Sequence, residues 1–109
     1  MIEVKVQATP KFMRLAKKSM TQEVIQNLID ALALDPEKGK LITGTGGIRK
    51  IRWATGKSGG KRGGVRVLYY YDGEYLVLLV TLFKKADKEN IDASEKEELR
   101  KLINELFGD

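Results

Sequence analysis

Between Thr43 and Tyr71 the chain carries seven cations, Arg49, Lys50, Arg52, Lys57, Lys61, Arg62 and Arg66, and no carboxylate. Cations at that density, with nothing to neutralise them, suit the binding and polarising of phosphate esters. The flanks differ. Residues 1–42 hold seven bases against five acids and residues 72–109 six against ten, so the net charge of +5 is concentrated in the middle. The 109 residues include no His and no Cys. That removes the usual general base, thiolate metal sites, disulfides and every Ser/His or Cys/His nucleophile pair. Proton transfer falls to Lys, Arg, Tyr or carboxylates, and neither a metal nor a cofactor is expected.

Eight of the eleven glycines lie in the same region, in GTGG (Gly44 to Gly47) and GKSGGKRGG (Gly56 to Gly64). Neither stretch fits a nucleotide loop. The first lacks the third glycine of GxGxxG, and the second has Ile51 where a P-loop places its first glycine. The glycines read as turn and connector formers. A basic connector of this kind can also fold along an RNA or DNA backbone through Lys57, Lys61 and Arg62, giving contacts that position without specifying sequence.

Strand alternation places residues 48, 50 and 52 on one face and 49, 51 and 53 on the other. Lys50 and Arg52 therefore project together, and Arg66, at the start of the next strand, joins them if Ile51 and Trp53 face the helices. Their mutual repulsion is of order 1 kcal/mol per close exposed pair, tolerable on a solvated face and better explained by a polyanion. Tyr69, Tyr70 and Tyr71 must divide between the two faces, with at least one in the core and Tyr70 the candidate for base stacking. Trp53 reads as packed.

Several elements hold these residues. Ile2 to Val6 alternates as a half-buried strand. Thr9-Pro10 caps a short basic helix, and Ser19 or Thr21 opens a second, whose Val24, Ile25, Leu28, Ile29 and Leu32 form an apolar stripe ended by Asp35-Pro36. Ile48 to Trp53 and Val65 to Tyr71 read as strands. Asp72-Gly73 signals a two-residue type I′ turn into the nearly continuous apolar strand Tyr75 to Phe83. Ser94 to Glu97 is a capping box for a helix carrying Leu99, Leu102, Ile103, Leu106 and Phe107. The order β-α-α-β-β-β-α specifies one α+β domain over residues 1–109, with a mainly antiparallel sheet packed by helices on one face. No apolar run approaches membrane length and no signal peptide is visible, so a soluble cytoplasmic protein is expected.

GTGGIRKIRWA (Gly44 to Ala54), GKRGGVRVLYYY (Gly60 to Tyr71), a strand ending TLFKKAD (Thr81 to Asp87) and a final capped helix together resemble the RelE/HigB superfamily of bacterial toxins, in particular HigB-type chains. The resemblance runs through the whole chain in order. It implies a microbial-ribonuclease-like fold, cleavage of mRNA in the ribosomal A site, and neutralisation by a cognate antitoxin, HigA-like with a helix-turn-helix, through which alone operator DNA is contacted. It places the catalytic cations at Lys50, Arg52, Arg66 and Lys85, with Lys84 the neighbouring candidate, and the basic and aromatic residues Arg49, Lys57, Lys61, Arg62, Lys84 and Tyr70 are expected toward RNA or ribosome. Two departures stand out: Ala86 where many RelE-like chains have arginine, and Asn90 to Asp92 where they have an aromatic. The implied chemistry is attack of the ribose 2′-OH on the adjacent phosphodiester, with Lys50 or Lys85 as base and Arg52 and Arg66 clamping the phosphate. The competing readings are a noncatalytic RNA- or DNA-binding module and a basic face that docks an acidic partner.

Overall fold

The Thr9 hydroxyl accepts from the Phe12 N–H at 3.0 Å and donates to the Val80 carbonyl at 2.7 Å. One side chain thus starts a helix and fastens it to a strand 71 residues away. With Pro10 at its first position, that helix, α1, spans Pro10–Ser19 and buries Phe12 and Ala16 completely. Thr21 caps α2 (Gln22–Leu34), which buries Ile25, Leu28 and Leu32 at helical spacing. It stops before Asp35 because the residue preceding a proline is driven out of the helical region. The computed structural model describes residues 4–56, 64–85, 87–88 and 90–108. None of the described helices is long and apolar enough to cross a membrane.

Among the described residues five strands form one sheet: β1 (Lys5–Ala8), β2 (Lys40–Leu41), β3 (Ile48–Trp53), β4 (Val65–Tyr71) and β5 (Leu76–Lys84). Their order is β1-β5-β4-β3-β2, with β1 parallel to β5 and all other pairs antiparallel. The first strand lies later than the expected Ile2 to Val6, because the alternation continues through Ala8 and pairing with Leu76–Leu79 fixes its extent. Met1 to Glu3 fall outside the described residues. The two-residue β2 was not expected from the sequence.

The sheet is covered on both faces, not on one as the sequence order suggested. Ile51, Val67, Tyr69, Val77 and Leu79 pack against α1 and α2. On the other face Ile48, Leu68 and Val80 pack against Leu99 and Ile103 of α3 (Ala93–Phe107). The cause is composition: β4 and β5 present apolar side chains on both sides, and each side needs its own cover. Pairing shifts between Leu68 and Tyr69, which face Thr81 and Leu79, leaving Val80 as a bulge whose carbonyl takes the Thr9 hydroxyl.

Two local expectations change. The β4–β5 connection is a four-residue loop, Asp72 to Tyr75, and not a type I′ turn, since Gly73 alone among them has positive φ. The Asp72 carboxylate accepts from the N–H groups of Glu74, Tyr75 and Leu76, which favours the longer loop. The capping box of α3 uses Asp92 and Glu95, two residues before the Ser94 and Glu97 expected. Glu95 reaches back to the Asp92 N–H and also pairs with Lys88, which fixes the earlier start.

Tyr69 holds the region before β3. Fully buried, its hydroxyl accepts from the Gly39 N–H and donates to the Pro36 carbonyl, each at 2.8 Å. Burial pushes the hydroxyl above its ordinary 10.0, outweighing the Gly39 N–H and the Arg49 charge, which act downward. A raised acid favours the folded state while neutral, so its contribution is whole below pH 10 and is lost as pH rises through the raised value. Tyr69→Phe should lower stability by about 1–3 kcal/mol by stranding two backbone groups. Urea midpoints measured from about pH 8 to about pH 11 should fall less steeply in the variant than in the wild type, and equal slopes would contradict this role.

Candidate active site

Strand register brings the predicted cations together. Arg52 is the cross-strand partner of Arg66 between β3 and β4, and Lys50 that of Leu68. All four share the face that α3 covers only in part: α3 reaches Ile48 and Leu68, and beyond them the sheet opens into a cavity of about 680 Å³. Among the described residues its lining is Lys38, Lys40, Lys50, Ile51, Arg52, Arg66, Lys85 and Asn90. Six of these are cations and none is a carboxylate.

Arg66 is the unusual member. It is only 9% exposed, and its Nη1 is buried with no hydrogen-bond partner. It is therefore no open-face cation. A buried guanidinium N–H left unbonded costs about 1–3 kcal/mol, and like charges directly opposed across strands add to the cost. Lys50 is tethered differently, donating from Nζ to the Asn90 side-chain oxygen at 3.2 Å. Asn90 thus stands at the cavity wall where an aromatic was noted as missing. Lys85, in the turn after β5, completes the rim.

Other predicted residues lie elsewhere. Arg49 is on the opposite face, where its guanidinium donates to the carbonyls of Gly39 at 2.7 Å and Glu37 at 3.2 Å and pairs with the Glu37 carboxylate at 3.4 Å. Tyr70 stacks on Phe107 with ring centroids 4.6 Å apart, away from the cavity. Lys84 is exposed at the end of β5, paired with Val65 on the α1–α2 side of the sheet. Lys57, Lys61, Arg62 and Ala86 fall outside the described residues.

The GTGG stretch is a structural turn. Gly44, Gly46 and Gly47 have φ of 84°, 76° and 116°, a region costly for other residues. Between them the buried Thr45 donates to the Ile42 carbonyl at 2.7 Å and accepts from the Ile48 N–H at 3.1 Å, closing the loop from β2 to β3. Sequence reasoning missed Lys38 and Lys40. Their one signal is the alternation Lys38-Gly39-Lys40, too short to read as a strand.

An open polycationic cavity on a half-covered sheet has the electrostatics that suit an anion. The family model described as RelE toxin of the RelE/RelB toxin-antitoxin system matches residues 4–108. The chain belongs to the RelE toxin family. A structure of the E. coli toxin RelE, a mutant in the free state, is similar with a TM-score of 0.56 and 17% identity, covering 94% of this chain and 97% of that one. At that identity the likeness is one of fold, and the α+β architecture is shared. Membership of the RelE family brings an antitoxin as partner.

In this RelE-family toxin the cost carried by Arg66 has a measurable sign. Arg66→Met keeps the length of the side chain while removing the unbonded N–H and the charge facing Arg52. It should raise stability by about 1–3 kcal/mol, read as a higher urea midpoint at unchanged slope. A fall in the midpoint would mean that Arg66 serves the fold.

Proposed function

We propose that this toxin is a metal-independent endoribonuclease that cleaves mRNA in the ribosomal A site and thereby inhibits translation. The observation that carries the reading is Arg66, a buried guanidinium with a free N–H at a cavity whose described lining has six cations and no anion. A phosphodiester supplies the missing charge and acceptor.

The reaction is transesterification. The ribose 2′-oxygen attacks phosphorus, the new O2′–P bond forms as the P–O5′ bond breaks, and the products are a 2′,3′-cyclic phosphate and a 5′-hydroxyl. Whichever of Lys50 and Lys85 is the uncharged amine takes the proton from the 2′-OH, and the other, as an ammonium, gives its proton to the departing O5′. Arg52 and Arg66, opposed across β3 and β4, bear on the phosphorane oxygens, where negative charge grows in the transition state. The Asn90 hydrogen bond fixes where the Lys50 Nζ sits. Lysines are modest proton-transfer groups, so in-line geometry must come from outside, and the ribosome supplies it by holding the mRNA. The toxin accordingly works in the cytoplasm. Its antitoxin is HigA-like with a helix-turn-helix, and operator DNA is met only through it.

Toeprinting on programmed ribosomes tests this. Wild-type protein should cut mRNA when ribosomes are present and leave naked RNA nearly intact, and Arg66→Ala or Arg52→Ala should slow cleavage by ~10²-fold or more. Equal cleavage of naked RNA would remove the ribosome from the reading. Binding to ribosomes without any cut product would instead favour a noncatalytic RNA-binding module.

A further inference from the structure

We propose that Lys38 and Lys40 form a second phosphate subsite, so that the cavity accepts single-stranded RNA across two consecutive phosphates. The inference rests on the RNA reading above and adds to it a requirement on substrate length. It starts from register. Lys40 is the cross-strand partner of Lys50 at the start of β2, and Lys38 lies two residues before it, past the bend at Gly39, lining the same cavity. Arg52 in turn faces Arg66. Adjacent strands lie about 4.8 Å apart, so the backbone at Lys40 on β2 is about two strand spacings, roughly 10 Å, from β4, the strand that carries Arg66. One phosphate held by Arg52 and Arg66 leaves the Lys38–Lys40 end of the cavity unfilled. The volume of about 680 Å³ agrees, since clefts of several hundred Å³ enclose molecules much larger than one phosphate group.

The two lysines stand on a built platform. Gly39 between them is buried against Tyr69, where an added Cβ would meet the ring at 2.8 Å. The Tyr69 hydroxyl bridges Gly39 and Pro36, the Lys38 N–H bonds the Asp35 carbonyl at 3.1 Å, and Arg49 holds the carbonyls of Glu37 and Gly39. The nearest carboxylate in sequence, Glu37, is drawn to Arg49 on the other face. Among the described residues neither Lys38 nor Lys40 forms an ion pair, and both line the cavity. A rigid backbone therefore presents two free ammonium groups beside a site that already lacks an anion. Lysine at an edge strand also blunts sheet-to-sheet association, a role that makes Lys38 and Lys40 indifferent to how many phosphates a ligand carries.

The test uses 2′-O-methyl dinucleotides, which cannot undergo transesterification, with the internal phosphate alone or with a second phosphate at the 5′ or the 3′ end. Binding is followed by chemical-shift titration at two salt concentrations. With wild-type protein the second phosphate at one end should tighten binding about tenfold. In Lys38→Ala/Lys40→Ala that gain should disappear, with a shallower salt dependence for the two-phosphate ligand. Arg66→Ala should weaken every ligand. If wild-type protein binds the one-phosphate ligand but gains nothing from a second phosphate at either end, or if the double variant keeps the gain, the subsite is refuted while the RNA reading stands. If wild-type protein binds none of the ligands, the RNA reading of the cavity fails and the subsite with it.

Discussion

A guanidinium withdrawn from water and set opposite another guanidinium must be held there by free energy from elsewhere in the fold. In this chain Arg66 is that group, and its position on β4 explains much of the rest. β4 lies at the centre of the five-stranded sheet, paired on both sides and packed on one face by Val65, Val67 and Tyr69 against α1 and α2. That layer is completely dry at Phe12, Leu28, Leu32 and Tyr69. A residue held by ladders on both edges and a core beneath it cannot retract from its neighbours. The cation at position 66 is thus preorganised, and in the proposed reaction a phosphate would not have to reorder it, which is the condition under which electrostatic stabilisation of a transition state is most effective.

The opposite face shows how that arrangement stays accessible. α3 covers Ile48, Leu68 and Val80 and closes the far end with the Tyr70–Phe107 stack, but it does not extend over Arg52 and Arg66. Its start is fixed by the Asp92–Glu95 box and the Lys88 pair, with the Glu95 carboxyl held below its ordinary value first by Lys88 and then by the Asp92 N–H. The short approach from β5 to that box carries Lys85 and Asn90, both at the cavity. Where α3 begins therefore decides both what is covered and which side chains rim the opening.

Much of this was legible in the sequence for definite reasons. Thr9-Pro10 and Thr21 are local signals, and the helices begin where those residues dictate. Lys50, Arg52 and Arg66 share a face because strand alternation is strict. The apolar stretch Tyr75 to Phe83 also held the information that the sheet is covered on both sides, against the one-sided arrangement inferred from element order. What composition could not separate was cation from cation. Arg49 and Lys50 are adjacent and look alike in a charge count, yet alternation sends one to cap the Glu37 and Gly39 carbonyls and the other to the cavity. Tyr70 was likewise a candidate for stacking on bases and instead stacks on Phe107, a partner 37 positions away that no local pattern links to it.

The same contrast separates charge that builds the fold from charge that awaits a ligand. Arg49 has carbonyl and carboxylate partners within the chain, and it shares with Tyr69 the anchoring of the segment that presents Lys38 and Lys40. Arg66 has a donor with no partner, and the described residues lining its cavity add five more cations. A charge whose hydrogen bonds are complete within the chain is accounted for by folding alone. A buried charge whose hydrogen bonds are incomplete fits a site that binds an anion better than it fits a structural role, because an apolar side chain of similar length should fold at least as well in its place.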